Sequence, residues 1–265
     1  MQKLPISVFI ITKDEEDRVP TAIKSVLGWV DEVIVVDSGS SDKTIDVATR
    51  LGAKVLYNEW NGYGPQKVFA EGLCKNKWLL NIDADEEISA ELRDEIINEF
   101  ANGEPEFKAY KVSIKDVNRF SSKVGLLASM HIQLRLYHSD YAGFKDSSVH
   151  DSVVLKDGVK ESVPKFKNIV RHRSFRSYTH AIEKVNRYTT MQAEEMFRCG
   201  RCPSAFRVII EPVVSFIKGY FIKRHCFLGV EGFIEGVIYA FARTLRLAKA
   251  RELWKQQDVK KGRGA

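Results

Sequence analysis

Trp78-Leu-Leu-Asn-Ile-Asp-Ala-Asp85 is an apolar run that ends on two carboxylates one residue apart. The run does not alternate with polar residues, so it reads as a strand covered on both faces, as strands of parallel sheets are. The same grammar occurs twice upstream. Ile6-Ser-Val-Phe-Ile-Ile-Thr12 runs into Lys-Asp-Glu-Glu16, and Glu32-Val-Ile-Val-Val-Asp37 runs into Ser-Gly-Ser-Ser-Asp42. Between these runs the spacing turns helical. Val19, Ala22, Ile23, Val26 and Leu27 mark one helix within residues 17–27, with Pro20 early, where proline is tolerated. Ser41 or Asp42 is expected to cap a second helix through Arg50. Ala53-Lys-Val-Leu-Tyr57 reads as a further strand, and Ser89, with Glu91 in the first turn, caps a helix to about Phe100. Strands alternating with helices predict an α/β fold with a mostly parallel central sheet. Ligands of such sheets bind beyond the carboxyl ends of the strands. Residues 12–16, the Asp37 loop, and Asp83 with Asp85 are therefore expected to share one crevice.

Past Lys108 the reading changes to shorter strands: Ala109-Tyr-Lys-Val-Ser113, Gln133-Leu-Arg-Leu-Tyr137 and Val153-Val-Leu155. From Tyr178 it becomes helical. Two regions follow: a catalytic domain over residues 1–177 and an amphipathic, basic helical region over residues 178–265. In the latter no run reaches the roughly 18 uncharged apolar residues of a spanning helix, because Lys218, Lys223, Arg224, Glu231 and Glu235 interrupt it. Apolar residues mixed with Lys and Arg suit helices lying in a membrane interface; a hairpin packed on the catalytic domain is the competing reading.

The charge distribution agrees with an anionic partner. Residues 198–265 hold 14 Lys/Arg against 5 Asp/Glu, while residues 1–197 hold 27 against 30. A basic tail on a mildly acidic body points to a membrane surface or polyanion, and no nucleic-acid reading motif accompanies it. Four cysteines in 265 residues are too few for a disulfide scaffold and favour a reducing compartment. The first residues do not read as a secretory leader. Cys199-Gly-Arg-Cys202 has ligand-like spacing but lacks the second pair of a zinc site.

An Asp-x-Asp after a strand can set one carboxylate on a divalent ion and the other on a ribose or a metal-bound water. Mg2+ or Mn2+ takes such oxygen ligands and can bridge a nucleotide diphosphate. Taken alone the motif is weak, since any acidic loop supplies one. Asp37 can accept a hydrogen bond from a base N–H, or serve only as a turn or capping residue. The glycine-rich fingerprints of dinucleotide and phosphate-loop proteins do not occur.

Ile10-Ile-Thr-Lys-Asp-Glu-Glu16, Val35-Val-Asp-Ser-Gly-Ser-Ser-Asp-Lys-Thr44 and Asn81-Ile-Asp-Ala-Asp-Glu-Glu87 resemble the three opening motifs of inverting glycosyltransferase family 2. Trp60-Asn-Gly-Tyr-Gly-Pro-Gln-Lys67, Gln133–Tyr137, Val149-His-Asp151 and Lys184-Val-Asn-Arg-Tyr188 resemble its lipopolysaccharide inner-core β-1,4-glucosyltransferase branch. The resemblance implies a GT-A fold, a nucleotide-binding sandwich that uses a divalent cation. It puts Asp37 on the uracil ring, with Thr12 and Glu15 or Glu16 lining that pocket. It puts Asp83 near the ribose, Asp85 on Mg2+ or Mn2+, and Gln66 and Lys67 beside the donor. Asp151 becomes the general base, and His150 and His172 candidates for a further metal or phosphate contact. Departures occur at Val68, where the branch carries Asn, and at Leu126-Leu-Ala-Ser-Met-His131, where it is aromatic and glycine-rich. Asp151 also stands where the branch more usually carries Glu.

The expected function is transfer of a hexose, glucose from UDP-glucose, to a lipid-linked saccharide such as inner-core heptose. The enzyme is expected at the inner face of the cytoplasmic membrane as a peripheral protein. Three other readings compete. A polyisoprenyl phosphate or another glycan could be the acceptor for the same chemistry. Phosphoryl transfer would want the Asp-x-Asp on the first strand rather than the fourth. A non-catalytic membrane adaptor could retain the fold.

Overall fold

A computed structural model describes residues 3–117, 130–145, 152–158, 162–173, 176–222 and 225–260. The described residues form two compact units, one up to residue 173 and one from residue 176. His150 and Asp151 lie outside the described residues.

The first unit is built on an eight-stranded sheet. Its strands are β1 (Leu4–Thr12), β2 (Val30–Asp37), β3 (Lys54–Tyr57), β4 (Trp78–Asn81), β5 (Glu86–Ile88), β6 (Ala109–Asp116), β7 (Met130–His138) and β10 (Lys165–His172). The spatial order is β3-β2-β1-β4-β7-β6-β10-β5. The first four run parallel, as do β6 and β10, while β7 is antiparallel to both neighbours and β5 is antiparallel to β10. The sheet is thus mostly parallel with an antiparallel seam. Two short strands, β8 (Ala142–Phe144) and β9 (Val153–Leu155), pair separately.

Both faces of the sheet are covered, which is why β1 and β2 read as unbroken apolar runs. Val8, Ile10, Val33 and Val35 face one way and join a core with Ala22 and Ile23 of α1 (Val19–Val26), Ala48 of α2 (Thr44–Arg50), and Leu92 and Ile96 of α4 (Ala90–Glu99). Phe9, Ile34 and Val36 face the other way, against Ala70 of α3 (Tyr63–Gly72) and Ala142 of β8. Each fully buried Ile, Val or Phe stabilises the fold by roughly 1.5–3 kcal/mol.

Local expectations fare unevenly. Ser89 caps α4 as the sequence predicts, accepting from Leu92 N at 3.2 Å. Neither Ser41 nor Asp42 holds the cap position of α2: Lys43 does so without a side-chain cap, and Asp42, one residue earlier, accepts from Thr44 N at 2.9 Å. The fourth strand stops at Asn81 instead of Asp83, because the chain turns there: Asp83 N donates to Glu86 Oε2 and Glu86 N donates to Asp83 O. The strands β5 and β10 and the helix α3 have no counterpart in the sequence reading.

The second unit is helical: α5 (Tyr178–Arg198), α6 (Ala205–Ile217), a π-helical turn (Lys218–Ile222), a 3-10 turn (His225–Leu228) and α7 (Gly229–Lys260). The count of uncharged residues predicts no spanning helix. With two charges admitted, however, the segment His225–Val259 is long and apolar enough to cross a membrane. The acidic residues of its apolar first half, Glu231 and Glu235, break the uncharged run without lowering the mean hydropathy below that of a candidate span.

Candidate active site

The parallel register brings the loop clusters to one edge of the sheet. Thr12, the last residue of β1, pairs with Asp37, the last of β2, and Phe9 pairs with Asn81 of β4. Side chains lace the first two loops together. Asp14 N donates to Ser40 Oγ at 2.8 Å, Glu15 N to Thr44 Oγ1 at 2.7 Å, and Lys43 N to the Glu16 carboxylate at 2.8 Å. Asp14 accepts from Ser41 N at 2.7 Å and adopts φ = 54°, a left-handed conformation rare outside glycine. Such a conformation survives only where surrounding bonds over-determine it, as they do here.

Asp37 is fully buried and engaged on both oxygens. Oδ1 accepts from Gly39 N at 2.8 Å and Ser40 N at 2.7 Å; Oδ2 accepts from Thr12 Oγ1 at 3.0 Å and from the Ser40 hydroxyl. A base N–H reaches this carboxylate only by displacing a partner, and the rotatable Ser40 hydroxyl is the one that can swing away. Gly39 adopts φ = 91°, so its lack of a side chain is required by the turn itself. Gln66 is buried and clasps Asn58, accepting from Nδ2 at 2.8 Å and donating to its carbonyl at 3.3 Å.

The turn after β4 separates the two aspartates into different environments. Asp83 meets Lys67 Nζ at 3.0 Å on one oxygen and an Arg135 NH2 at 3.0 Å on the other. Lys67 itself is buried, with Nζ 5.1 Å from the centre of the Phe144 ring. Arg135 also meets Glu86 at 2.8 Å and Asn81 Oδ1. Burial alone would raise the Asp83 carboxyl, but the charges of Arg135 and Lys67 outweigh it and hold Asp83 well below the usual carboxylate range. Glu86 has no such excess of cations, so burial pushes its carboxyl up.

Asp85 faces a second cluster. Its Oδ2 lies 3.3 Å from His172 Nε2 and 3.2 Å from an Arg18 guanidinium nitrogen. Arg18 is held from behind by a two-pronged pair with Glu15 at 2.6 and 2.7 Å. His172 closes β10, where its strand neighbour is Asp116 of β6, and its Nδ1 lies 2.8 Å from Asp116 Oδ1. Burial would lower the imidazole, but Asp116 and Asp85 outweigh it and raise it to about 10. The ring of His131 stands 6.3 Å away, edge to face.

Among the described residues no three His, Cys, Asp or Glu side chains form a ready-made metal cage. The Asp85–His172 pair nevertheless has the chemistry of a two-ligand site, in which a cation would take the place of the imidazole's Nε2 proton. One carboxylate oxygen and one imidazole nitrogen converge, and the second ring nitrogen is fixed on a carboxylate, the device that orients histidine ligands. Mg2+ or Mn2+ suits such a sparse site, because these ions keep several positions for waters and phosphate oxygens.

Of the residues expected from the sequence, Thr12, Glu15, Glu16, Asp37, Gln66, Lys67, Asp83, Asp85 and His172 belong to the first unit. Lys67 and Asp83 meet directly, as do Asp85 and His172; Glu15 reaches Asp85 only through Arg18. The sequence reading missed Arg18, Arg135 and Asp116. Arg135 lies inside the quoted Gln133–Tyr137 stretch, where a lone cation in an apolar strand was the available signal. Arg18 and Asp116 carry none.

An α/β sheet with paired acids beyond its carboxyl edge is the arrangement of the GT-A fold. The chain belongs to glycosyl transferase family 2, which it matches over residues 7–162, and it is a glycosyltransferase. It is 43% identical to an uncharacterized glycosyltransferase of Rickettsia typhi over 94% of this chain and 87% of that one. It is 29% identical to the lipopolysaccharide core biosynthesis glycosyltransferase LpsC of Rhizobium meliloti over 97% of each. A solved structure of glucosyl-3-phosphoglycerate synthase from Mycobacterium tuberculosis, in complex with Mn2+, uridine diphosphate and glucosyl-3-phosphoglycerate, aligns with 43% of this chain and 44% of its own, at 26% identity and a TM-score of 0.33.

Proposed function

We propose that the chain transfers a hexose, glucose from UDP-glucose, with inversion to a saccharide of the lipopolysaccharide inner core. The observation that carries this reading is the Asp85–His172 contact, backed by Asp116, at the carboxyl edge of the sheet. Similarity to LpsC along nearly the full length supports a lipopolysaccharide acceptor. The basic region over residues 198–265 supports work at an anionic membrane surface, the inner face of the cytoplasmic membrane, where a lipid-linked acceptor is available.

In this reading the loops after β1 and β2 hold the nucleotide. Asp37 shapes its loop and exchanges the Ser40 hydroxyl for the uracil N–H, with Thr12 alongside and Glu16 bracing the loop. Glu15 aims Arg18 at Asp85. Lys67 and Arg135 keep Asp83 ionised and fixed, ready to accept from the ribose hydroxyls, while Gln66 fixes Asn58 beside the donor. Asp85 and His172 would hold Mg2+ or Mn2+, which supplies Lewis-acid neutralisation of a departing diphosphate. Asp151 takes the proton of the acceptor hydroxyl as that oxygen attacks the anomeric carbon and the bond to the diphosphate breaks. His150 neighbours it in sequence as a phosphate contact.

The test is incubation of the purified chain with UDP-glucose and defined acceptors, a heptose-terminated core lipopolysaccharide and a polyisoprenyl phosphate, with product linkage read by NMR. A β-glucoside on heptose is the expected product. Glucose found only on the polyisoprenyl phosphate would overturn the acceptor, and an α-linkage would overturn inversion.

A further inference from the structure

The helical unit is built with its apolar side outward. On α6 the exposed large apolar residues include Phe206, Ile209, Val213 and Ile217, with Ile209 reaching 74% exposure, and Arg207 is exposed among them. α7 continues the pattern with Val230, Phe233, Val237 and Phe241. The buried positions of α6 and of the first half of α7 are polar or small. Glu211 is buried in α6, where its Oε1 accepts from Ser215 Oγ at 2.9 Å and from Arg243 Nε of α7 at 3.2 Å. Tyr178 donates to Glu231 between α5 and α7. Glycines let the segments touch: a Cβ at Gly219 would stand 3.0 Å from the Tyr239 ring, and one at Gly236 would stand 3.3 Å from the Phe216 ring.

A hairpin made for water does the reverse, burying its apolar stripe and exposing its charges. Contiguous exposed apolar surface of this kind marks a lipid or protein contact. Gly232, Gly236 and Ala240 recur at intervals of four, the small-residue spacing with which helices pack closely in lipid. The most apolar window of His225–Val259 is only 17% buried, so this is no core helix of its unit.

We propose that α6, the two turns and the first half of α7 embed in one leaflet of a phospholipid bilayer as a helical hairpin that does not cross it. Charge placement decides between embedding and crossing. In the sequence Lys223 and Arg224 fall between α6 and α7, and Arg243, Arg246, Lys249 and Arg251 follow the apolar half of α7. Crossing would carry the cations between the two helices to the far side, against the usual retention of Lys and Arg on one side. Lying in the plane keeps both basic groups at the headgroups of one leaflet, where anionic lipids complement them, with the apolar stripe among the acyl chains. This deepens the membrane part of the reading above and rests on it, replacing attachment by surface charge with insertion.

The test is flotation of the full chain with phosphatidylcholine vesicles, with and without phosphatidylglycerol, at low and molar salt. The chain should float with both vesicle types and resist molar salt. The triple variant Ile209→Asp/Val213→Asp/Phe233→Asp should lose flotation, each change weakening partition roughly tenfold or more. Phe233→Trp, a gentle change that guards against misfolding, should gain fluorescence quenching by bromine-labelled lipid. Binding confined to phosphatidylglycerol and released by salt would overturn insertion while leaving surface attachment standing. A lipid-free dimer that the triple variant dissociates, with vesicle binding unchanged, would assign the apolar face to a second copy instead. Titration of UDP with Mn2+ on the same samples keeps failure of insertion distinct from failure of the donor site.

Discussion

Asp85 and His172 meet at 3.3 Å although one follows the fourth strand and the other ends the last. Antiparallel pairing of β10 with β5, which places His172 opposite Glu86, is what closes that distance. Asp116 then fixes the ring from the neighbouring strand at 2.8 Å. If Asp116 orients a metal ligand, Asp116→Asn should weaken Mn2+-dependent UDP binding about 10–100-fold, the usual loss for such a partner. His172→Ala should weaken it further. Calorimetry checks both; unchanged affinity in His172→Ala would remove His172 from the metal site, and in Asp116→Asn it would remove Asp116 as the group that orients it.

Arg135 is buried among Asn81, Asp83 and Glu86, and it serves stability as well as the site. Arg135→Met leaves the buried Glu86 without its counter-charge and Asp83 with Lys67 alone, and should cost about 3–5 kcal/mol. Adding Glu86→Gln removes that unpaired charge and should restore part of the loss. Denaturant melts of the single and double variants measure this, and equal stability of the two would contradict the account.

Asp37 and Ser40 can be separated. Asp37→Ala removes the acceptor of four hydrogen bonds, three within its loop and one from Thr12, so both melting temperature and UDP affinity should fall. Ser40→Ala should leave UDP affinity intact or improve it, because the hydroxyl that competes with the base is gone. A loss of affinity beyond about tenfold in Ser40→Ala, more than 1.4 kcal/mol, would show that the hydroxyl itself binds the donor.

Asp151→Asn should lower kcat by roughly 10²- to 10⁴-fold, the range of general base catalysis, without weakening UDP binding. Steady-state kinetics with a fixed acceptor and parallel calorimetry separate the two. Near-normal kcat would assign the base elsewhere.

The sequence carried the parallel half of the sheet because β1, β2 and β4 are covered on both faces and so appear as continuous apolar runs. It carried the acidic clusters because they follow those runs directly. β5 has three residues and begins with two glutamates, so no periodicity marks it. Lys67 and Arg135 are buried cations, which composition alone assigns to solvent; only their partners Asp83 and Glu86, distant in sequence, explain them. Asp116 ends an ordinary strand, and its role comes entirely from strand pairing with His172. In the helical unit the apolar and charged residues were visible, but which of them faced outward depended on how α6 and α7 pack.

The central claim is that Asp85 and His172 hold the cation that binds the donor diphosphate. Calorimetric titration of UDP into the wild-type chain and into Asp85→Ala, each with and without Mn2+, tests it most directly. The account predicts tight binding only for wild type with Mn2+, and weak, metal-independent binding for a folded Asp85→Ala. Equal, Mn2+-dependent binding in both proteins would contradict it.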